Sequence, residues 1–298
     1  MSKSSSRAKS KARTKVTLSK AKTTKSSAKT AEPITESAAV LEVPEKTRVL
    51  PGLQRWNVWA AALLVVQAVA ILVLSNAHNV AVTVNYLTAN PLDGGMVAAV
   101  RRLFDFNIGY LVTLFLLAAA VEYVLVTSVY RKQYEAELAE GINRIRWIHS
   151  AFVPSLVFLV VALLAGVYDL SSLLMIMVLS AVLHGLASFI ELRNKGKKAT
   201  DWATGRWAIL AGLMPFIVFI VYAVSTSIYG GTHLLAYVYG LFGTLVLTFA
   251  GLGANYFLQR QGKGRWADYL FGERVYTIIN VTAKTALAWQ IFAGLLHP

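Results

Sequence analysis

Lys284 stands inside the run TAKTALAWQIFAG, residues 282–294, with no Asp or Glu within ten residues on either side. An ammonium at bilayer depth costs roughly 2.5–3.5 kcal/mol on insertion scales, so such a residue marks a functional site by default. Other titratable groups also sit in apolar surroundings: Glu122 in LLAAAVEYVLV, His149 in RWIHSAFV and His184 in SAVLHGLAS. A buried carboxylate favours the charged form of a nearby amine, and an imidazole can do so little or the reverse. Metal chemistry is not indicated. There is no cysteine, and His78, His149, His184 and His233 are scattered without ligand spacing. No catalytic residues and no enzyme activity are expected.

The elements that must position these groups are membrane spans. Of 298 residues, 56% are hydrophobic and only 15% charged, and mean hydropathy is +0.54. Soluble domains are nearer a quarter charged, so this composition belongs to a membrane protein. Apolar segments long enough to cross about 30 Å recur, at 56–75, 107–130, 145–168, 170–192, 206–228, 233–258 and 275–296. The fold class expected is therefore an all-α membrane protein, a bundle of seven transmembrane helices. The third and fourth spans are separated by a tight turn at Tyr168-Asp169-Leu170-Ser171. Residues 76–106 form a long loop in which Val80, Val82 and Val84 alternate with Ala81, Thr83 and Asn85. That period of two predicts a short β-strand, paired within the loop or with a neighbouring copy.

Net charge is +14 and unevenly spread: residues 1–31 hold ten Lys/Arg and no acid. This Ser/Thr/Ala-rich stretch cannot bury enough apolar surface to fold alone. Residues 1–51 are expected to form a disordered basic tail and residues 52–298 the membrane domain. A polybasic flank of this kind suits anionic lipid on the cytoplasmic leaflet; nucleic acid is not the expected partner. Loops carrying Arg131, Lys132, Arg144 and Arg146, then Arg193, Lys195, Lys197, Lys198 and Arg206, then Arg260, Lys263, Arg265 and Arg274 fall on the tail's side. The opposite side has Arg101 and Arg102. An excess of Lys/Arg marks the cytoplasmic face, so the amino terminus is expected inside and the carboxyl terminus outside.

From the sixth span onward the chain resembles the heliorhodopsins. The resemblance rests on Asn255, Leu258-Gln259, Gly264-Arg265-Trp266, Asp268-Tyr269, Phe271-Gly272-Glu273-Arg274-Val275-Tyr276, Ala283-Lys284 and Leu287-Ala288-Trp289-Gln290. Shorter matches are Arg55, Asn57 and Gln67 in the first span, Arg146-Trp147-Ile148 in the third, and Gly212 with Pro215 in the fifth. The resemblance implies a rhodopsin-type bundle with all-trans retinal bound covalently to Lys284 as a Schiff base. It also implies a homodimer in the cell membrane and a photosensory or regulatory, non-pumping role, with an unidentified cytoplasmic signalling partner. The alternative function is a light-gated ion channel or a light-driven ion transporter.

The chain departs from the family pattern where the charge matters. After Arg146-Trp147-Ile148 the family carries a glutamate counterion; here the residue is His149. In the second helix the family histidine is replaced by Glu122, and the first-helix histidine by Leu64. Asn280, one turn before Lys284, stands where serine is frequent. At 1.5 Å per residue, His149, Glu122 and Lys284 all lie roughly 6–15 Å from the cytoplasmic ends of their spans. A carboxylate and a histidine have changed places between two helices at one depth. Glu122 is thus the expected counterion or proton relay, directly or through His149, water or a bound anion. Asn280, Ser150 and Arg146 are expected near the Schiff base. Phe216, Phe249 and Tyr222 are candidates for the retinal pocket, and His184 for a packed polar residue.

Overall fold

The structure is a computed structural model describing residues 50–297, apart from 93, 196–199 and 232. The basic tail up to residue 49, and with it Asp93, Lys197, Lys198 and Pro298, lies outside the described residues. The elements in chain order are α1 (Leu50–Leu74), β1 (Asn79–Ala89), β2 (Met96–Asn107), α2 (Ile108–Thr127), α3 (Arg131–Ala139), α4 (Arg144–Leu164), α5 (Leu170–Arg193), α6 (Gly205–Tyr229), α7 (Ala236–Gln261) and α8 (Tyr269–Ile291). A 3₁₀ turn at Gly264–Ala267 precedes α8, and a π-helical turn at Phe292–Leu296 ends it. Seven of these helices, all but the short α3, are long and apolar enough to cross a membrane.

Local chemistry sets the boundaries. Asx side chains cap four helix starts: Asn107 accepts from the Tyr110 amide, Asn143 from Arg146, Asp169 from Ser172 and Asp268 from Leu270. The third span stops earlier than the apolar run suggests, because the chain turns at Gly166 with φ of 95°. The last begins at Tyr269 rather than near 275, because the polar turn holding Glu273 and Arg274 is folded into α8. The α3 helix, within a loop charged enough to be read as connection, is secured by Glu135, which accepts from Gln54 and from Arg131.

Helix α4 is the centre of the bundle: every side chain from Ser155 to Leu163 is buried. It packs on α2, α5 and α7, while α1 lies on α2 and α8. Helices α6 and α7 leave apolar side chains such as Ile220 and Leu247 exposed, as a lipid-facing surface requires. The predicted strand is β1, paired antiparallel with β2 in one hairpin, with a register shift between Val82 and Thr83. Beside that shift the Thr83 amide donates to the Tyr168 carbonyl at 2.8 Å. The hairpin is thereby fastened to the α4–α5 turn.

Candidate functional site

Lys284 is 4% exposed, buried on the inward face of α8. Its Nζ donates to Asn280 Oδ1 at 3.1 Å, and Asn280 Nδ2 donates to the Tyr276 carbonyl at 3.1 Å. The second bond fixes the amide's orientation, so the oxygen faces the lysine. An ammonium has three N–H groups to place, and Asn280 is its sole hydrogen-bond partner among the described residues. A protonated imine at the same nitrogen has one N–H, which one acceptor satisfies. The donor set therefore fits an imine better than a free ammonium.

Glu122 from α2 and His149 from α4 meet. Glu122 Oε2 lies 2.6 Å from His149 Nδ1, with both side chains buried. On the ring's other edge, Nε2 is 3.2 Å from the Ala118 carbonyl oxygen. The pair lies within electrostatic reach of Lys284 and of Tyr276 through Glu122, and of His184 through His149. Ser150, the next residue of α4, hydrogen-bonds the Tyr276 hydroxyl. Glu122 also borders a small chamber with Asn57, Tyr123, Glu273 and Tyr276, with about 10 Å³ for water centres, the lower limit for a single water.

Arg146 is placed one turn nearer the start of α4 than Ser150, in a second buried cluster. Its guanidinium donates to Glu191 at 2.7 Å and to Glu273. Trp147 Nε1 and the Tyr269 hydroxyl also donate to Glu191, at 2.5 and 2.9 Å, and Asn143 and Gln259 donate to Glu273 at 2.7 and 3.1 Å. The Arg146 carbon Cζ sits 5.0 Å over the Tyr276 ring, so Tyr276 joins this cluster to the one around Lys284. Glu191 was missed by sequence reasoning, since a lone acid near a helix end reads as a solvated loop residue. The nearest signal is the buried position of Arg146, a cation that requires partners.

The aromatic candidates all pack against the main core cluster. Phe216 and Phe249 contact each other at 5.6 Å between ring centroids and both contact Phe158, at 5.6 and 5.1 Å. Phe158 comes from the central helix and was not anticipated. Tyr222 packs near Gly166 at the α4–α5 turn, against the same core cluster as the trio. His184 donates from Nδ1 to the Ser180 carbonyl at 2.8 Å, with its ring 6.3 Å from Phe249, as a packed polar residue beside the aromatic trio.

Seven apolar helices closing over a buried lysine, with a carboxylate–histidine pair within its electrostatic reach, define a rhodopsin-type integral membrane protein. The heliorhodopsin family model matches residues 53–296. The chain belongs to the heliorhodopsins, a family of retinal-binding, light-sensing rhodopsins rather than enzymes. No curated protein matches it.

Proposed function

We propose that this protein is a photoreceptor carrying all-trans retinal as a Schiff base on Lys284, with a sensory or regulatory output and no pumping. The observation that carries the reading is the lysine itself: buried at the middle of α8, with one acceptor at Asn280 and the Glu122–His149 pair close by. Retinal supplies light absorption and isomerisation when bound. Lys284 supplies the nitrogen of attachment, Asn280 orients it, and Glu122 supplies the nearest negative charge. Phe158, Phe216 and Phe249 offer an apolar wall of rings in the bundle core suited to a polyene.

A non-pumping role is supported by the placement of the ionisable groups. Besides the Glu122–His149 pair, the Arg146–Glu191–Glu273 cluster lies on the side of the basic loops, whereas directional transport needs such groups on both sides of the chromophore. The amino terminus is read as cytoplasmic and the carboxyl terminus as extracellular.

Reconstitution with all-trans retinal tests the attachment. The wild-type chain is expected to develop a retinal-dependent band in the visible or near ultraviolet, and Lys284→Ala to lose it while still reaching the membrane. Undiminished retinal-dependent absorption in Lys284→Ala would overturn the assignment.

A further inference from the structure

The contacts of His149 decide how many protons it holds. Its Nε2 faces the carbonyl oxygen of Ala118 at 3.2 Å. A carbonyl only accepts, so Nε2 carries hydrogen. Its Nδ1 lies 2.6 Å from Glu122 Oε2, closer than the usual charge-assisted N–H···O distance of about 2.7–2.9 Å. A ring nitrogen without hydrogen is partly negative and would repel an ionised carboxylate oxygen at that distance. A second proton must therefore belong to the two residues together. Oε2 has no aligned hydrogen bond from any described residue, so the approach is held by charge rather than by direction. Such an approach is that of an imidazolium beside a carboxylate.

We propose that Glu122 and His149 form one buried proton-binding site, a net-neutral pair holding a single exchangeable proton, and that Lys284 faces this pair rather than a bare carboxylate. An imidazolium with a carboxylate has the same atoms and charge as an imidazole with a carboxylic acid, so the site is neutral either way. The groups around it leave little to change that count. Lys284 and Tyr276 approach from α8, Tyr123 from α2, Tyr134 from α3 and His184 from α5. Glu273 is already committed to Arg146, Asn143 and Gln259. Arg146 in turn divides its charge between Glu191 and Glu273.

One consequence rests on the reading that Lys284 carries the retinal imine. The imine and the pair then compete for protons, and His149 weakens Glu122 as a counterion. Replacing the imidazole by a smaller polar side chain that cannot be protonated leaves Glu122 as a full anion. His149→Asn is therefore expected to enlarge the visible band of the retinal-loaded protein at neutral pH relative to wild type. Glu122→Gln is expected to do the opposite.

The proton count can be measured without the chromophore. ¹⁵N-histidine NMR of the full chain in lipid bilayers, with and without retinal, is assigned by the signals lost in His149→Asn. Infrared carboxyl bands lost in Glu122→Gln report the acid. Imidazolium with carboxylate, or imidazole with carboxylic acid, supports the shared proton. A neutral imidazole beside an ionised Glu122, or an imidazolium beside a protonated Glu122, overturns it. Equal spectra of wild type and His149→Asn at every pH would overturn the competition with the imine. Failure of retinal to attach at Lys284 would instead overturn the photoreceptor reading and leave the NMR result standing.

Discussion

At the scale of single residues, two buried clusters share Tyr276 and differ in what they tolerate. Glu122 and His149 can exchange a proton, so substitutions there are expected to act on spectra more than on folding. Glu122→Gln removes the anion nearest the imine and should move absorption towards the near ultraviolet at neutral pH. His149→Glu restores a carboxylate on α4 and should stabilise the visible form. Absorption scanned across pH checks both, and the apparent transitions belong to the coupled set rather than to one side chain. Arg146 is different. It is 1% exposed and shares its single positive charge between two buried carboxylates. Arg146→Met would leave Glu273 without its cation and Glu191 with Arg260 alone, 3.9 Å away, and is expected to destabilise the bundle by roughly 3–5 kcal/mol, read as a lower unfolding midpoint in detergent.

At the scale of elements, caps and close approaches hold the site's helices in place. Asp169 accepts the Ser172 amide at 2.9 Å at the start of α5, and Asn85 of β1 also donates to it at 3.4 Å. Donation from the Ser172 amide holds the Asp169 carboxyl below its ordinary acidity range. A lowered folded value stabilises above the unfolded value of about 3.9, and this contribution is lost as pH falls through the folded value. Asp169→Ala should cost about 1 kcal/mol at neutral pH, and the difference from wild type should shrink in acid. Thermal unfolding at pH 7 and below pH 3 checks both halves. On α8, a Cβ at Gly272 would lie 2.7 Å from the Gln259 side chain, whose Nε2 donates to Glu273. Gly272→Ala should push α7 and α8 apart and destabilise by about 1–3 kcal/mol. Gly272→Ala combined with Gln259→Ala should recover part of that loss in the same unfolding assay.

At the scale of the whole molecule, the proposed orientation rests on charge. The loops on the tail's side are rich in Arg and Lys, and the hairpin side holds Arg101 and Arg102. A tag on the amino terminus is expected to be shielded in intact cells and one on the carboxyl terminus accessible to antibody. Cleavage of the basic tail by external protease would reverse the assignment. The hairpin's attachment at Tyr168 puts it and the α4–α5 turn on one end of the bundle, so both should share accessibility in labelling experiments.

Several features were legible in the residues alone because each needs only local information. Span number follows from apolar length. The strand at Val80–Val84 follows from its alternation. Lys284 stands out because no ordinary membrane helix carries an unpaired ammonium at its middle. Counting along the helices even brought Glu122, His149 and Lys284 to one depth. Rotation about each helix axis was not legible. These helices are apolar on nearly every face, so no amphipathic stripe says which side turns inward. Only the packed bundle decided that Glu122 and His149 touch at 2.6 Å. It also brought Glu191 and Glu273, 45 and 127 residues along the chain from Arg146, to the same guanidinium. A buried charge constrains its neighbours in space, and the chain gives no local sign of which distant residue will answer it.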